Sequence, residues 1–180
     1  MLYDEHKQMV KDLAKPGEVI LETMTPRDAH LQHMIIGIAG EVRELLWALS
    51  KNDRENAVEE LGDLEFYFEG YRQAFPNYIP AVNVEVDRRL GWKELYEATD
   101  DLLDLTKRIT IYRKPIPENS VHLLFNKIQH MMNNCYAATG ITREEALEHN
   151  LNKLLKGDRA RYKEGKYSDE QANARADKQE

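Results

Sequence analysis

Two pairs of acids carry the clearest chemistry in the chain. Glu41-Val42-Arg43-Glu44 and Glu60-Leu61-Gly62-Asp63 each place two carboxylates three residues apart, which makes them neighbours on a helix surface. Glu41 and Glu60 both border an apolar stripe, where an acid is half buried. Four carboxylates drawn together without a counter-charge repel one another and lose hydration, at a cost of several kcal/mol. Either cations neutralise them or the helices turn them into solvent. A divalent cation resolves the conflict, and hard oxygen ligands of this kind suit Mg²⁺, with Mn²⁺ as the alternative. Both ions keep some waters and share coordination with phosphate oxygens. Lys51 and Arg54 in the following turn, and Lys107, Arg108, Arg113 and Lys114 further on, are placed to meet such phosphates.

Rival chemistries fail on spacing. A di-iron carboxylate bundle needs Glu-x-x-His, yet none of the six histidines has a glutamate three residues before it. His30-x-x-His33 offers zinc only two ligands. No His-Glu-x-x-His, phosphate-loop or EF-hand pattern occurs. Cys135 sits between Met131, Met132 and Tyr136, the surroundings of a buried structural thiol rather than a nucleophile. The net charge of −7 opposes broad binding to a phosphate backbone, so no nucleic-acid partner is expected. The longest apolar run, Met34 to Ala39, falls far short of the ~20 residues that a bilayer crossing requires. The opening Met1 to His6 lacks the charged and apolar regions of a secretory signal, and one cysteine forms no internal disulfide. The expectation is a cytoplasmic protein without a membrane span.

The elements that must position the acids are helices. With 180 residues, 42% hydrophobic, and only 9 glycines and 6 prolines, the chain reads as one helix-rich domain. Thr25-Pro26-Arg27-Asp28 opens a helix running to about Leu49, with Leu31, Met34, Ile35, Ile38, Val42, Leu45, Leu46 and Leu49 on one stripe. Asn52 or Asp53 caps the next, where Ala57, Val58, Leu61, Leu64, Phe68, Tyr71 and Phe75 repeat the period. The short turn between them makes an antiparallel hairpin over about 26–75. A connector from Asn77 to about Asp87 has room for one short extended piece around Ala81 to Val86. A second hairpin follows over about 92–138, closed in its middle by Lys114-Pro115-Ile116-Pro117. Thr142-Arg143-Glu144-Glu145 starts a C-terminal helix that holds Leu147, Leu151, Leu154 and Leu155, and Ser168 caps another short one in a charged tail spanning the rest of 142–180. The predicted fold is all-α: a four-helix-bundle core from two tandem hairpins, plus this helix and tail. Trp47 points away from the main stripe and is expected to pack beneath the second hairpin rather than stack on a base, and its face is the one through which a homodimer would pair.

Glu44-Leu45-Leu46 over Asp101-Leu102-Leu103, and Glu55-Asn56-Ala57-Val58 over Glu118-Asn119-Ser120-Val121, superpose the hairpins as a duplication. The four acids then fall on Ala98, Asp101, Leu123 and Asn126, so one site is expected, not two.

Ile38-Ala39-Gly40-Glu41-Val42-Arg43-Glu44-Leu45-Leu46, followed by Glu59-Glu60-Leu61-Gly62-Asp63-Leu64-Glu65-Phe66-Tyr67, resembles the E-x-x-E and E-x-x-D signature of MazG-like all-α nucleoside triphosphate pyrophosphohydrolases. Gly140 to Glu145, Asn150-x-x-Lys153-Leu154, Arg161-Tyr162, Gly165, Tyr167-Ser168 and Arg175-x-Asp177 resemble the C-terminal elements of small phage-type members. The resemblance implies that Glu41, Glu44, Glu60 and Asp63 bind Mg²⁺. It implies also that Asn150 and Lys153 contact the nucleotide, and that a nucleoside triphosphate is cut between its α and β phosphates. Glu41 or Glu44 would be the base that activates water. Arg161, or Arg159, would meet a phosphate, and Lys114 of the basic loop would help to cover the substrate. This chain departs from the family pattern at Arg43, where Gly is frequent, and in carrying the Ile-Tyr-x-Lys-Pro loop as Ile111 to Pro115 in the second hairpin. The expected function is Mg²⁺-dependent hydrolysis of a nucleoside triphosphate, chiefly a deoxynucleotide, in nucleotide-pool control. The alternative is a catalytically weakened bundle that binds a nucleotide or protein partner as a regulator.

Overall fold

The computed structural model describes residues 2–78, 92–115 and 118–178, with only the backbone of Trp92 and Glu118. The extended piece expected around Ala81 to Val86 lies outside the described residues. Eight α-helices occur among the described residues: α1 (Leu2–Leu13), α2 (Gly17–Thr23), α3 (Pro26–Ser50), α4 (Arg54–Gln73), α5 (Trp92–Thr110), α6 (Glu118–Thr139), α7 (Arg143–Leu151) and α8 (Asp169–Ala174). The described residues contain no strand. None of these helices is long and apolar enough to cross a membrane.

Each boundary that positions the acids has a local cause. Thr25 Oγ1 accepts from the Asp28 amide at 3.2 Å, and Asp28 Oδ2 accepts from the Thr25 amide at 2.9 Å, so a capping box with Pro26 at the first position starts α3. Asn52 turns the chain at φ 54°, a conformation that asparagine tolerates. Asp53 Oδ1 then caps α4 by accepting from the Asn56 amide at 3.1 Å.

Helices α3 to α6 form the four-helix bundle. α3 packs on both α4 and α5, and α5 packs on α6. Gln32 of α3 bonds Thr110 of α5, and Arg113 just beyond α5 pairs with Asp28, so these two helices run antiparallel. Phe125 of α6 closes the ring against α4, meeting Phe68, Tyr71 and Phe75 with ring centroids 5.2–5.6 Å apart. Helices α4 and α5 are parallel and diagonal, and the Tyr71 hydroxyl meets Thr106 Oγ1 across the core at 2.7 Å. That hydrogen bond satisfies both hydroxyls in an interior built from Leu31, Ile35, Ile38, Leu45, Leu61, Leu64, Leu95, Leu102 and Ile128.

Helix α7 lies on α4. Gly62 permits the approach, because a Cβ there would stand 2.6 Å from the Ala146 carbonyl oxygen and 3.0 Å from Asn150 Cβ. Gly62→Ala should therefore push α7 outward and lower stability by about 1–3 kcal/mol, the usual cost of overpacking, which urea denaturation will read. A value within error of wild type would mean that α7 is not held at this contact.

Three features differ from the sequence expectations. Helices α1 and α2 were not anticipated; neither contains a buried residue. Their apolar residues, such as Leu2, Met9 and Leu13, have helical spacing but face solvent instead of serving the core. The C-terminal helix expected to continue to Leu155 ends at Leu151 and passes into a π-helical turn, Asn152–Lys156. Trp47 is 63% exposed, with the Lys51 ammonium 4.6 Å from the centre of its ring, and does not pack beneath the second hairpin.

Candidate functional site

The stripes that bury α3 and α4 against each other fix the rotation of both helices, and with it the rims on which the acids stand. Tyr67 lies against α3 at Gly37, where a Cβ would meet its ring at 2.3 Å. One turn along from that contact, Glu41, Glu60 and Asp63 each present an oxygen within 4.8 Å of the others. Glu60 is buried and the other two are half buried. They line a cavity of about 350 Å³ that Glu44, Glu59 and Tyr67 also line.

Charge is distributed unevenly in that cavity. Burial pushes the Glu41 carboxyl up, and its hydrogen bond to Glu60 and the nearby Asp63, Glu60 and Glu44 push it further, to about 8. Glu60 is raised as well, chiefly by burial. Glu59 is affected oppositely: burial would raise it, but hydrogen bonds from Lys153 and Lys178 outweigh burial and hold it at about 2. Metal-free, the cluster therefore keeps a proton on the Glu41–Glu60 pair while Glu59 stays ionised.

Cations enter from the C-terminal part of the chain. Lys153 Nζ donates to Glu59 Oε1 at 2.8 Å and also to Asp63. Asn150 Nδ2 donates to Asp63 Oδ1 at 2.8 Å. Arg161 Nε and Nη2 clasp both oxygens of Asp177, at 2.8 and 2.6 Å, which lowers the Asp177 carboxyl and raises the guanidinium. Lys153, Arg161, Arg175 and Lys178 all line the acidic cavity. Arg175 ends α8 at φ 45°, an uncommon conformation for a residue with a side chain. The result is an acidic floor facing a basic wall.

The expected residues are thus placed as follows. Glu41, Glu60 and Asp63 converge. Glu44 lines the same cavity, but its side chain is 50% exposed and bonds Arg43, so it stands at the rim rather than in the convergent group. Asn150 and Lys153 are tied to the carboxylates themselves. Lys114 is not at the site. It follows Arg113, which pairs with Asp28 in the first turn of α3, and Asp28 lies about 20 Å from Glu41 at the helical rise of about 1.5 Å per residue. The cover expected from the basic loop of the second hairpin is instead made by Arg161, Arg175 and Lys178. In the second hairpin, Ala98 is buried, Asp101 pairs with Lys127 at 3.5 Å, Leu123 is exposed, and Asn126 accepts from the Tyr78 hydroxyl. No second acid cluster is found among the described residues.

Comparison with protein-family models, curated proteins and solved structures gives no match.

Three contributors have no role in the sequence reading: Glu59 and Arg175, which stand only as members of the quoted motifs, and Lys178. Glu59 lies four residues before Asp63 and one before Glu60, the spacing by which a helix brings a third acid to the same rim. Glu65, on the same helix, also bears on the site. It is 2% exposed, takes a two-pronged bond from Arg143 at 2.7 and 3.0 Å, and accepts from the Tyr136 hydroxyl at 3.1 Å. This network joins α4, α6 and α7 and so holds the C-terminal cations over the acids. Cys135 is buried and its thiol pushed up to about 12 by that burial, which suits packing rather than nucleophilic attack.

Proposed function

We propose that the chain hydrolyses a nucleoside triphosphate, chiefly a deoxynucleotide, to the monophosphate and pyrophosphate with Mg²⁺ bound at Glu41, Glu60 and Asp63. The observation that carries the reading is the convergence of these three oxygens within 4.8 Å beneath a wall of four cations. The donor set fits a hard divalent ion, since it is all oxygen, half buried, and carries a repulsion that one ion relieves. When bound, Mg²⁺ would neutralise phosphate charge and lower the pKa of a water.

The protein's own groups have separable roles in this reading. Glu41, which gives the convergent group one oxygen and keeps the other, is one acid able to accept a proton from water. Glu44, exposed at the rim, is the other candidate. Arg161 and Arg175 supply donors to phosphate oxygens, with Arg161 oriented by Asp177. Lys153 is held by two carboxylates and contributes charge from a fixed position.

The test is direct. Each NTP and dNTP is incubated with the protein and Mg²⁺, and products are separated. Monophosphate with pyrophosphate is expected for at least one substrate. Orthophosphate would show a different cut, and the absence of any product would favour the second reading, a regulator that binds a nucleotide or protein without turnover. That second reading draws on one observation: Lys153 and Lys178 already neutralise Glu59, and Lys153 also holds Asp63.

A further inference from the structure

The acidic cavity has a neighbour. A second cavity, of about 290 Å³, shares three of its lining side chains, Glu59, Lys153 and Lys178. The Arg161–Asp177 pair completes the partition, with Arg161 lining the acidic cavity and Asp177 the second. The far wall is made by His149 of α7, by Asn152 and Gly157 around the π-helical turn, and by Arg159.

The turn shapes that wall. The Gly157 amide donates to the Asn152 carbonyl at 2.8 Å, and the Arg161 and Tyr162 amides return to the carbonyls of Lys153 and Leu154 at 3.0 and 2.9 Å. A Cβ on Gly157 would come within 2.6 Å of the Asn152 oxygen, so the return is open to glycine alone. Single π turns are frequent at functional sites.

We infer that this second cavity receives the nucleoside end of a nucleotide whose phosphates occupy the acidic one; the inference rests on the triphosphate reading above. The parent reading sets the orientation: Mg²⁺ at Glu41, Glu60 and Asp63 would draw the phosphates into the acidic cavity, and Lys153, Lys178 and Arg161 stand at the junction, where the phosphate chain must leave the sugar. The Asn152 amide and the His149 ring offer both donors and acceptors, as the polar edge of a base requires, and the Arg159 guanidinium is planar and suited to stack on it. Each cavity alone is at the lower limit of the roughly 300–1,000 Å³ typical of small-molecule sites, whereas the two together lie well inside it.

The test uses Asn152→Ala and Arg159→Ala in the full chain; both residues are exposed, and thermal melts will show whether each variant keeps its fold. Steady-state kinetics with the preferred triphosphate are compared with competitive inhibition by inorganic tripolyphosphate, which has phosphates but no nucleoside. Each variant is expected to raise KM about tenfold, the loss of roughly one hydrogen bond, with tripolyphosphate inhibition within about twofold of wild type. An unchanged KM would overturn the assignment, as would a parallel weakening of tripolyphosphate, which would make the cavity a phosphate site. Should one variant fail to fold, the other and the isosteric Asn152→Asp decide. A wild-type protein that turns over no triphosphate overturns the parent reading, whereas an active wild type with unaffected variants overturns only the cavity assignment.

Discussion

Mg²⁺ at about one hundred times its Kd should raise the melting temperature of the metal-free protein by about 5–10 °C near pH 8, since binding to the folded state alone adds about 2.7 kcal/mol and each kcal/mol shifts a chain of this size by about 2–4 °C. Glu41 is the source of the effect. Its carboxyl stands at about 8 in the fold against an ordinary 4.5, because burial and the surrounding acids oppose its charge. The folded protein therefore holds a proton that the unfolded chain releases, and between those two values stability falls as pH rises. The contribution is fully present below about pH 4.5 and lost by about pH 8. An ion that replaces the proton should reverse the trend, so the Mg²⁺ increment grows with pH through the same window.

Glu41→Gln separates the two effects. The amide removes one of the repelling charges, so the metal-free variant should melt higher than wild type near pH 8 and lose most of the pH slope. It should also lose most of the Mg²⁺ increment. Turnover should fall more than about 100-fold, because even residues that only support a metal ligand cost 10–100-fold when removed, and Asp63→Asn should do the same. A Glu41→Gln variant that gains as many degrees from Mg²⁺ as the wild type would take Glu41 out of the metal site.

The second large effect is expected far from turnover. Arg143→Ala should destabilise the fold by about 3 kcal/mol, or roughly 6–12 °C, because it strands the Glu65 carboxylate at 2% exposure with, among the described residues, the Tyr136 hydroxyl as its remaining side-chain partner. Glu65→Gln should cost less. Its amide oxygen can still accept from Tyr136, and Arg143, which is 49% exposed at its side chain, can turn toward water. Equal losses from the two variants in urea melts would mean that the pair contributes through packing, not through the buried charge. Both variants should also weaken activity, since α7 carries Asn150 and leads into Lys153.

Much of this arrangement can be read from the sequence, and the remainder has a physical reason for being hidden. The α3–α4 hairpin is legible because a long apolar stripe, a capping box and Pro26 agree about one segment, and local signals that agree are the easiest to trust. The convergence of Glu41, Glu60 and Asp63 is also legible, since helical spacing and a short turn leave little freedom. Lys114 was misplaced for the opposite reason. Its position depends on which end of α3 meets the end of α5, and that is settled by contacts such as Arg113 with Asp28, which no local pattern announces. The roles of Glu59, among the charges of α4, and of Arg175 and Lys178, on the charged tail, stayed hidden because such a residue looks solvated until the fold supplies its partner. The N-terminal helices have the right period but bury nothing, so their stripe led to no core position.

Lys153 stands 90 residues after Asp63. At translation rates of about 5–20 residues per second, that distance is several seconds to roughly twenty seconds of synthesis. Throughout that interval the nascent chain already displays its acids while the lysine meant for them does not yet exist. The newborn hairpin must therefore take protons or counter-ions from its surroundings, and exchange some of them for Lys153 as the segment carrying that lysine leaves the ribosome.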